Sequence, residues 1–196
     1  MRIAFVCPRY GVDLAGGAAV HVEWLAQHLK SSGFEVEVLT TCARDHFGWE
    51  NYYSSGTSEV NGIIVRRFKV EKRDVVKFLK IQNSIITGGK VPYEDQLMWA
   101  KESVNSNSLY SYIEKYSGDY DYFVFIPYMF GTTINGSQIC PGKSILIPTL
   151  HDEVYAYLDI FKSVFRNFRG IMFSTPPEKE LGKRLYGLDE DKVALV

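Results

Sequence analysis

Two places in the 196-residue sequence combine residue types and spacing that could do chemistry. The first is Gly16-Gly17, directly before Ala18, Val22, Leu25 and Leu29, which recur at helical spacing. A glycine lets the backbone approach a ligand closely or take positive φ. The free N–H groups of a helix start favour an anion, with the dipole alone contributing about 0.3–1 kcal/mol. The chemistry suggested is phosphate binding. The second place is His151-Asp152-Glu153, just after the apolar run at 144–147. An imidazole there can donate to a sugar hydroxyl or to a reacting oxygen, and its charge is tunable near neutral pH. Taken alone, the glycine pair is equally a tight turn, and His151 a capping or packing residue.

Other patterns narrow the choice. There is no GxGxxG spacing, so a nicotinamide dinucleotide is not expected. Gly142-Lys143-Ser144 copies the tail of an ATPase phosphate loop, but Ser137 stands where the first glycine belongs and a strand follows, so it reads as a turn. His21 lies near the glycine pair and is a candidate ligand contact; His28 reads as surface, and the four histidines show no metal-ligand spacing. Cys7, Cys42 and Cys140 form no CxxC, which argues against a zinc site or a disulfide framework.

A basic stretch carries Arg66, Arg67, Lys69, Lys72, Arg73, Lys77 and Lys80 against Glu71 and Asp74. Arg66, Lys69, Lys72 and Arg73 are expected to rim the cleft side of the sheet, facing an anionic acceptor or membrane headgroups; the plainer reading is a solvated helix face. Tyr10, Tyr128, Phe130, Tyr155 and Tyr157 fall near expected loops, where rings stack on sugars, although most such aromatics belong to cores. With 22 basic and 23 acidic residues, nothing global suggests nucleic acid. The first apolar run is too short for a signal peptide and no run reaches a membrane span, which makes the cytosol the expected address.

The elements that must position these groups alternate to the end. Apolar runs predict strands at 3–7, 36–41, 63–68, 122–126, 144–147, 170–174 and 192–196. Helices are expected at 18–32, 74–86 and from Pro92 to about 113 with a break near 105–108, then at 128–138, 154–165 and 176–187. Residues 43–61 read as a polar loop. The pattern is a single α/β domain over 1–196: a doubly wound, mostly parallel sheet of about seven strands, with helices on both faces and the order 3-2-1-4-5-6 plus an added edge. Ligands of such sheets bind at the carboxyl ends of the strands, which selects the loops 8–17, 127–131 and 148–153.

On these residues the chain resembles a known family. Gly16-Gly17, His21-Val22, Leu25-Ala26, Leu29, Gly33, Glu35-Val36, Val38 and Thr40-Thr41 are similar to the N-terminal half of the retaining group 1 (family 4) GT-B glycosyltransferases. His151-Asp152 is similar to that family's His-Asp after a central strand, and residues 174–185, with Glu178 and Glu180, to its serine-ended strand and Glu-containing helix. The resemblance implies two Rossmann-like domains, the N-terminal one holding the acceptor and the C-terminal one most of the nucleotide sugar. It implies that Gly16 and Gly17 approach the donor diphosphate with Asp152 beside them, and that His151 contacts the donor sugar near the reacting carbon. Arg9, Tyr10, His21, Tyr128, Lys72 and Arg73 become the candidate acceptor contacts. The family needs no divalent metal and no cofactor beyond its nucleotide-sugar substrate.

The family continues past Val196 into a hinge and a donor-binding domain. This sequence is therefore expected to be the acceptor half of a longer enzyme, inactive alone, with a glycan, lipid or small-molecule acceptor and peripheral contact at the inner membrane face. The competing expectation is a stand-alone binding module for an anionic ligand or partner domain, without chemistry.

Overall fold

The computed structural model describes residues 1–11 and 16–196. Its apolar runs form β1 (Arg2–Cys7), β2 (Glu35–Thr41), β4 (Ile63–Phe68), β5 (Tyr122–Phe125), β6 (Ser144–Leu146), β7 (Gly170–Phe173) and β8 (Val193–Leu195). An eighth strand, β3 (Gly56–Val60), lies within the stretch expected to be loop. The sheet order is β3-β4-β2-β1-β5-β6-β7-β8, which is the expected winding with β3 added outside. Every pairing is parallel except β3 with β4.

The expectation of seven strands is corrected by the β3–β4 hairpin. Asn61 and Gly62 join the two strands with φ of 49° and 79°. A two-residue turn with both central residues at positive φ matches the right-handed twist of the strands it joins, and Asn-Gly is its preferred sequence. β3 reads Gly-Thr-Ser-Glu-Val and is mostly exposed, so it has no apolar run to announce it.

The helices are α1 (Gly17–Ser31), α2 (Val75–Ile86), α3 (Tyr93–Lys101), α4 (Asn107–Tyr116), α5 (Gly131–Gly136), α6 (Ile160–Asn167) and α7 (Pro176–Tyr186). The expected break after Pro92 separates α3 from α4, where the Ser106 side chain accepts from Leu109 N and caps the new helix. Residues expected to be one helix from 154 form a 3₁₀ turn, Val154–Tyr157, before α6 begins. α7 ends at Gly187 in the left-handed conformation, as a glycine after a helix commonly does.

Alternate strand residues feed two cores. Ile3, Phe5, Val36, Val38, Ile63 and Val65 pack with Val22 and Ala26 of α1. Ala4, Val6, Leu39, Phe123, Phe125 and Phe173 face the opposite way, into an aromatic-rich layer with Trp99, Phe161, Phe165 and Tyr186. Burial on both faces is why the strands read as near-continuous apolar runs. Charged groups also lie within this packing, Glu37 among them. Glu37 of β2, its side chain 6% exposed, takes Arg2 and Arg66 as ion-pair partners and accepts from Tyr120 Oη at 3.0 Å.

Candidate functional site

A cleft of about 1100 Å³ opens at the carboxyl edge of the sheet. Its walls come from three places: the start of α1 (Gly17, Ala18, His21), the loop after β6 (Thr149, Leu150, His151, Asp152), and the end of β7 with the first turns of α7 (Ser174 through Arg184). Sequence reasoning named Gly17, His21, His151 and Asp152, and the structure brings all four to this one cleft.

The α1 wall is built to leave its donors open. Gly16 precedes the helix at φ 146°, a conformation that L side chains rarely adopt, and a Cβ there would meet Arg9 Nη2 at 2.8 Å. Gly17 differs: a Cβ there would meet nothing within 4 Å. Neither a side-chain cap nor an acidic residue occupies the first turn of α1. Among the described residues, its first N–H groups therefore keep the unsatisfied state that attracts an anion.

The facing wall is held by Glu178, which is 7% exposed. Its Oε1 accepts from Leu150 N and its Oε2 from Ser174 N, each at 2.7 Å. One carboxylate thus ties the loop after β6 to the end of β7. Between β6 and this tie, Thr149 is held at φ 51°. A β-branched residue at positive φ carries strain of about 1–3 kcal/mol and persists only where its surroundings over-determine it. The neighbouring ties are Leu150 to Glu178, Tyr128 N to Pro148 O at 3.1 Å and Glu153 N to His151 O at 2.9 Å. His151 itself is exposed.

Asp152 accepts from Tyr157 Oη at 2.6 Å and has Arg184 Nη2 at 3.8 Å. That hydrogen bond raises the Tyr157 phenol above its ordinary value. Thr149 and Arg184 were not singled out from the sequence, and Ser174 entered only through the family resemblance. Arg184 was findable, since Pro177, Glu180, Leu181 and Arg184 recur at helical spacing on the face of α7 that begins at the cleft.

The remaining candidates lie elsewhere. Tyr128 is fully buried, stacked edge-on against Phe161 and Phe165, with its hydroxyl donating to Glu153 at 3.1 Å. Burial pushes its pKa up. Tyr10 is also buried, and its hydroxyl is bound to Glu23. Both are core aromatics, so neither ring faces the cleft as a stacking platform. Arg9 reaches from the carboxyl end of β1 to donate to Arg44 O at 3.2 Å. The expected loop 8–17 is described at both ends, and its residues 12–15 lie outside the described residues.

The basic rim is smaller than expected. Arg66 is taken into the Glu37 cluster, because its strand position points it at that buried carboxylate. Arg73 is half-buried over the Phe78 ring and donates to Glu102 O at 3.0 Å. Lys69 and Lys72 remain exposed. Lys72 borders a separate depression of about 470 Å³ with Tyr93, Asn105 and Asn135. Among the described residues, no group of three or more His, Cys, Asp or Glu could hold a metal ion, and no helix is long and apolar enough to cross a membrane.

Comparison with known proteins adds a class to this geometry. No family model matches the chain. Over 70 residues it is 41% identical to the phosphatidyl-myo-inositol mannosyltransferase of Mycolicibacterium smegmatis, a match that takes in 34% of this chain and 18% of that protein. The whole chain superposes on 48% of the N-terminal domain of Candida albicans trehalose-6-phosphate phosphatase, at a TM-score of 0.53 and 10% identity. It also superposes on 44% of Acinetobacter baumannii MurG, at a TM-score of 0.46 and 10% identity. The chain spans less than half the length of each of these proteins. The sheet is a Rossmann-like one, and the sequence likeness supports a glycosyltransferase-like domain.

Proposed function

We propose that this chain is the acceptor-side half of a GT-B glycosyltransferase, which moves a sugar from a nucleotide sugar to a glycan, lipid or small-molecule acceptor. One observation carries the reading: a single cleft at the carboxyl edge of the sheet joins the uncapped start of α1 to the His151 loop and the first turns of α7. In this reading the N–H groups at Gly17 and Ala18 receive the donor diphosphate, and Arg184 offers a guanidinium to the same charge. His151 hydrogen-bonds the donor sugar near the reacting carbon, and Asp152 holds Tyr157 and Arg184 in place beside it. The transfer is retaining and metal-independent, so leaving-group charge is met by helix N-terminal donors and cations rather than by a bound ion. A separate C-terminal domain grips the nucleotide.

The protein works in the cytosol, at the inner face of the membrane. Membrane contact is assigned to Lys69, Lys72 and α2, whose Val76, Leu79 and Ile86 are exposed beside Lys77 and Lys80. Transfer from a panel of nucleotide sugars tests the reading, comparing this chain alone with the chain joined to the rest of its reading frame. Turnover only by the longer protein is expected. Turnover by the 196 residues alone would sink the half-enzyme reading.

A further inference from the structure

The carboxyl ends of β4 and β2 hold a buried cation that no described carboxylate neutralises. Arg67 is only 7% exposed, and its Nη1 is fully enclosed with no hydrogen-bond partner. Among the described residues, no carboxylate forms an ion pair with it; its guanidinium lies 4.5 Å above the centroid of the Tyr53 ring. Arg67 pairs in register with Thr40, and Thr40 with Cys7, so the three side chains form a row across the ends of β4, β2 and β1. Thr40 Oγ1 is likewise buried without a hydrogen-bond partner.

An uncompensated buried charge is among the most costly groups a fold can keep. Surface arginines solve this with water, and Arg66, one residue away, solves it with Glu37. Among the described residues Arg67 has neither solution, and burial holds its pKa below the ordinary arginine value. Its place is also the one where ligands of parallel sheets bind, beyond the carboxyl ends of the strands.

The geometry points to Arg67 as an oxyanion-binding residue, whose missing counter-charge is a carboxylate or phosphate carried by a small-molecule ligand. This rests on the acceptor-side reading in one respect only: there, the oxyanion belongs to the acceptor. A planar guanidinium matches both oxyanions through paired N–H donors, and the Tyr53 face below it fixes its plane.

The test uses the chain as it stands, at low salt, with inorganic phosphate and glucuronate as probes and glucose as the neutral control. Thermal melts and titration calorimetry are run on the native protein, Arg67→Met and Arg67→Lys. The native protein is expected to gain melting temperature with one or both anions and none with glucose. Arg67→Met should lower anion affinity about tenfold or more, the scale of losing a hydrogen bond to a charged group. It should also melt higher than the native protein without anion, because the uncompensated charge is gone. Arg67→Lys keeps the charge without the paired donors, so it should fold and bind the anion more weakly than the native protein. Anion shifts of equal size in the native protein and Arg67→Lys, or none in the native protein, would overturn the assignment. Arg67-dependent anion binding by this chain, together with no sugar transfer by the longer protein, leaves this subsite standing and removes the glycosyltransferase reading.

Discussion

Glu178 Oε1 accepts the backbone N–H of Leu150 at 2.7 Å, so a carboxylate on α7 fixes the residue immediately before His151. The same carboxylate holds Ser174 N at 2.7 Å, and no described cation forms an ion pair with it. Its two oxygens are matched to two backbone donors. Glu178→Gln keeps the shape but turns one acceptor into a donor facing an N–H. The expected cost is about 1–3 kcal/mol, the penalty of one buried donor left unpaired. Urea denaturation measures it, and a midpoint unchanged from the native protein would show that the tie contributes nothing.

The glycine pair separates a turn from a ligand site. Gly16→Ala places a side chain at φ 146°, with Arg9 Nη2 2.8 Å from its Cβ. A loss of about 1–3 kcal/mol is expected in a urea melt. Gly17→Ala meets open space, so its stability should hold or rise by at most about 1 kcal/mol. If the helix start receives a diphosphate, the added methyl still blocks close approach. In the protein carrying both domains, Gly17→Ala should then raise the KM for the nucleotide sugar while the melt stays native. An unchanged KM would return Gly17 to the role of a turn residue.

For His151 the prediction concerns rate. In the longer protein, His151→Ala should lower kcat by something on the order of 10²-fold if the imidazole stabilises the transition state. His151 is exposed, so the melting temperature should not move. A raised KM alone, with kcat kept, would make it a binding residue.

Glu37 sets a pH window for stability. Burial would raise its pKa, but the hydrogen bonds from Arg66, Arg2 and Tyr120 outweigh burial and leave it below the ordinary value. A carboxyl depressed on folding stabilises the protein above its unfolded pKa of about 4.3 and loses that contribution as pH falls through the folded value. Denaturation midpoints should therefore drop below about pH 4.3. In Glu37→Gln the baseline is lower and the slope across that window is smaller. Equal slopes would remove Glu37 from the acid sensitivity.

Vesicle sedimentation addresses the α2 surface. A lysine near an anionic bilayer contributes about 1 kcal/mol. Replacing Lys72, Lys77 and Lys80 together by Gln should weaken binding to anionic vesicles on the order of 10²-fold, and added salt should mimic the change. Binding that ignores both salt and these substitutions would clear α2 of the role.

The sheet was legible because its strands are buried on both faces: runs such as 122–126 cannot be written any other way. The winding followed from the alternation of strands and helices. The stretch 43–55 was not legible, since its order comes from distant partners. Asn51 exchanges hydrogen bonds with the backbone of Val70, and Trp49, at φ 56°, packs edge-on against Phe130. No periodicity records such contacts. In the cleft, His151 and Gly17 could be read from local spacing. Glu178 could be quoted from a resemblance, but its tie to Leu150 is a relation between residues 28 positions apart that only the fold reveals. Arg66 and Arg67 are adjacent in sequence and opposite in environment, because neighbouring strand residues face opposite sides of the sheet.

The Asn61-Gly62 turn that completes the hairpin also gives the molecule a chemical clock. Asn61 is exposed, and the residue after it has no side chain to hinder attack of its backbone nitrogen on the Asn61 amide carbon. That attack expels ammonia through a cyclic imide, and water reopens the ring to aspartate or isoaspartate. The amide nitrogen that is lost is the one Asn61 donates to Glu23 Oε1 at 2.8 Å, and Glu23 is the partner of the buried Tyr10 hydroxyl. Ageing at this turn thus sets one carboxylate against another at the edge of the α1 core. Stored protein will drift toward a more acidic form in which Glu23 has lost its Asn61 donor.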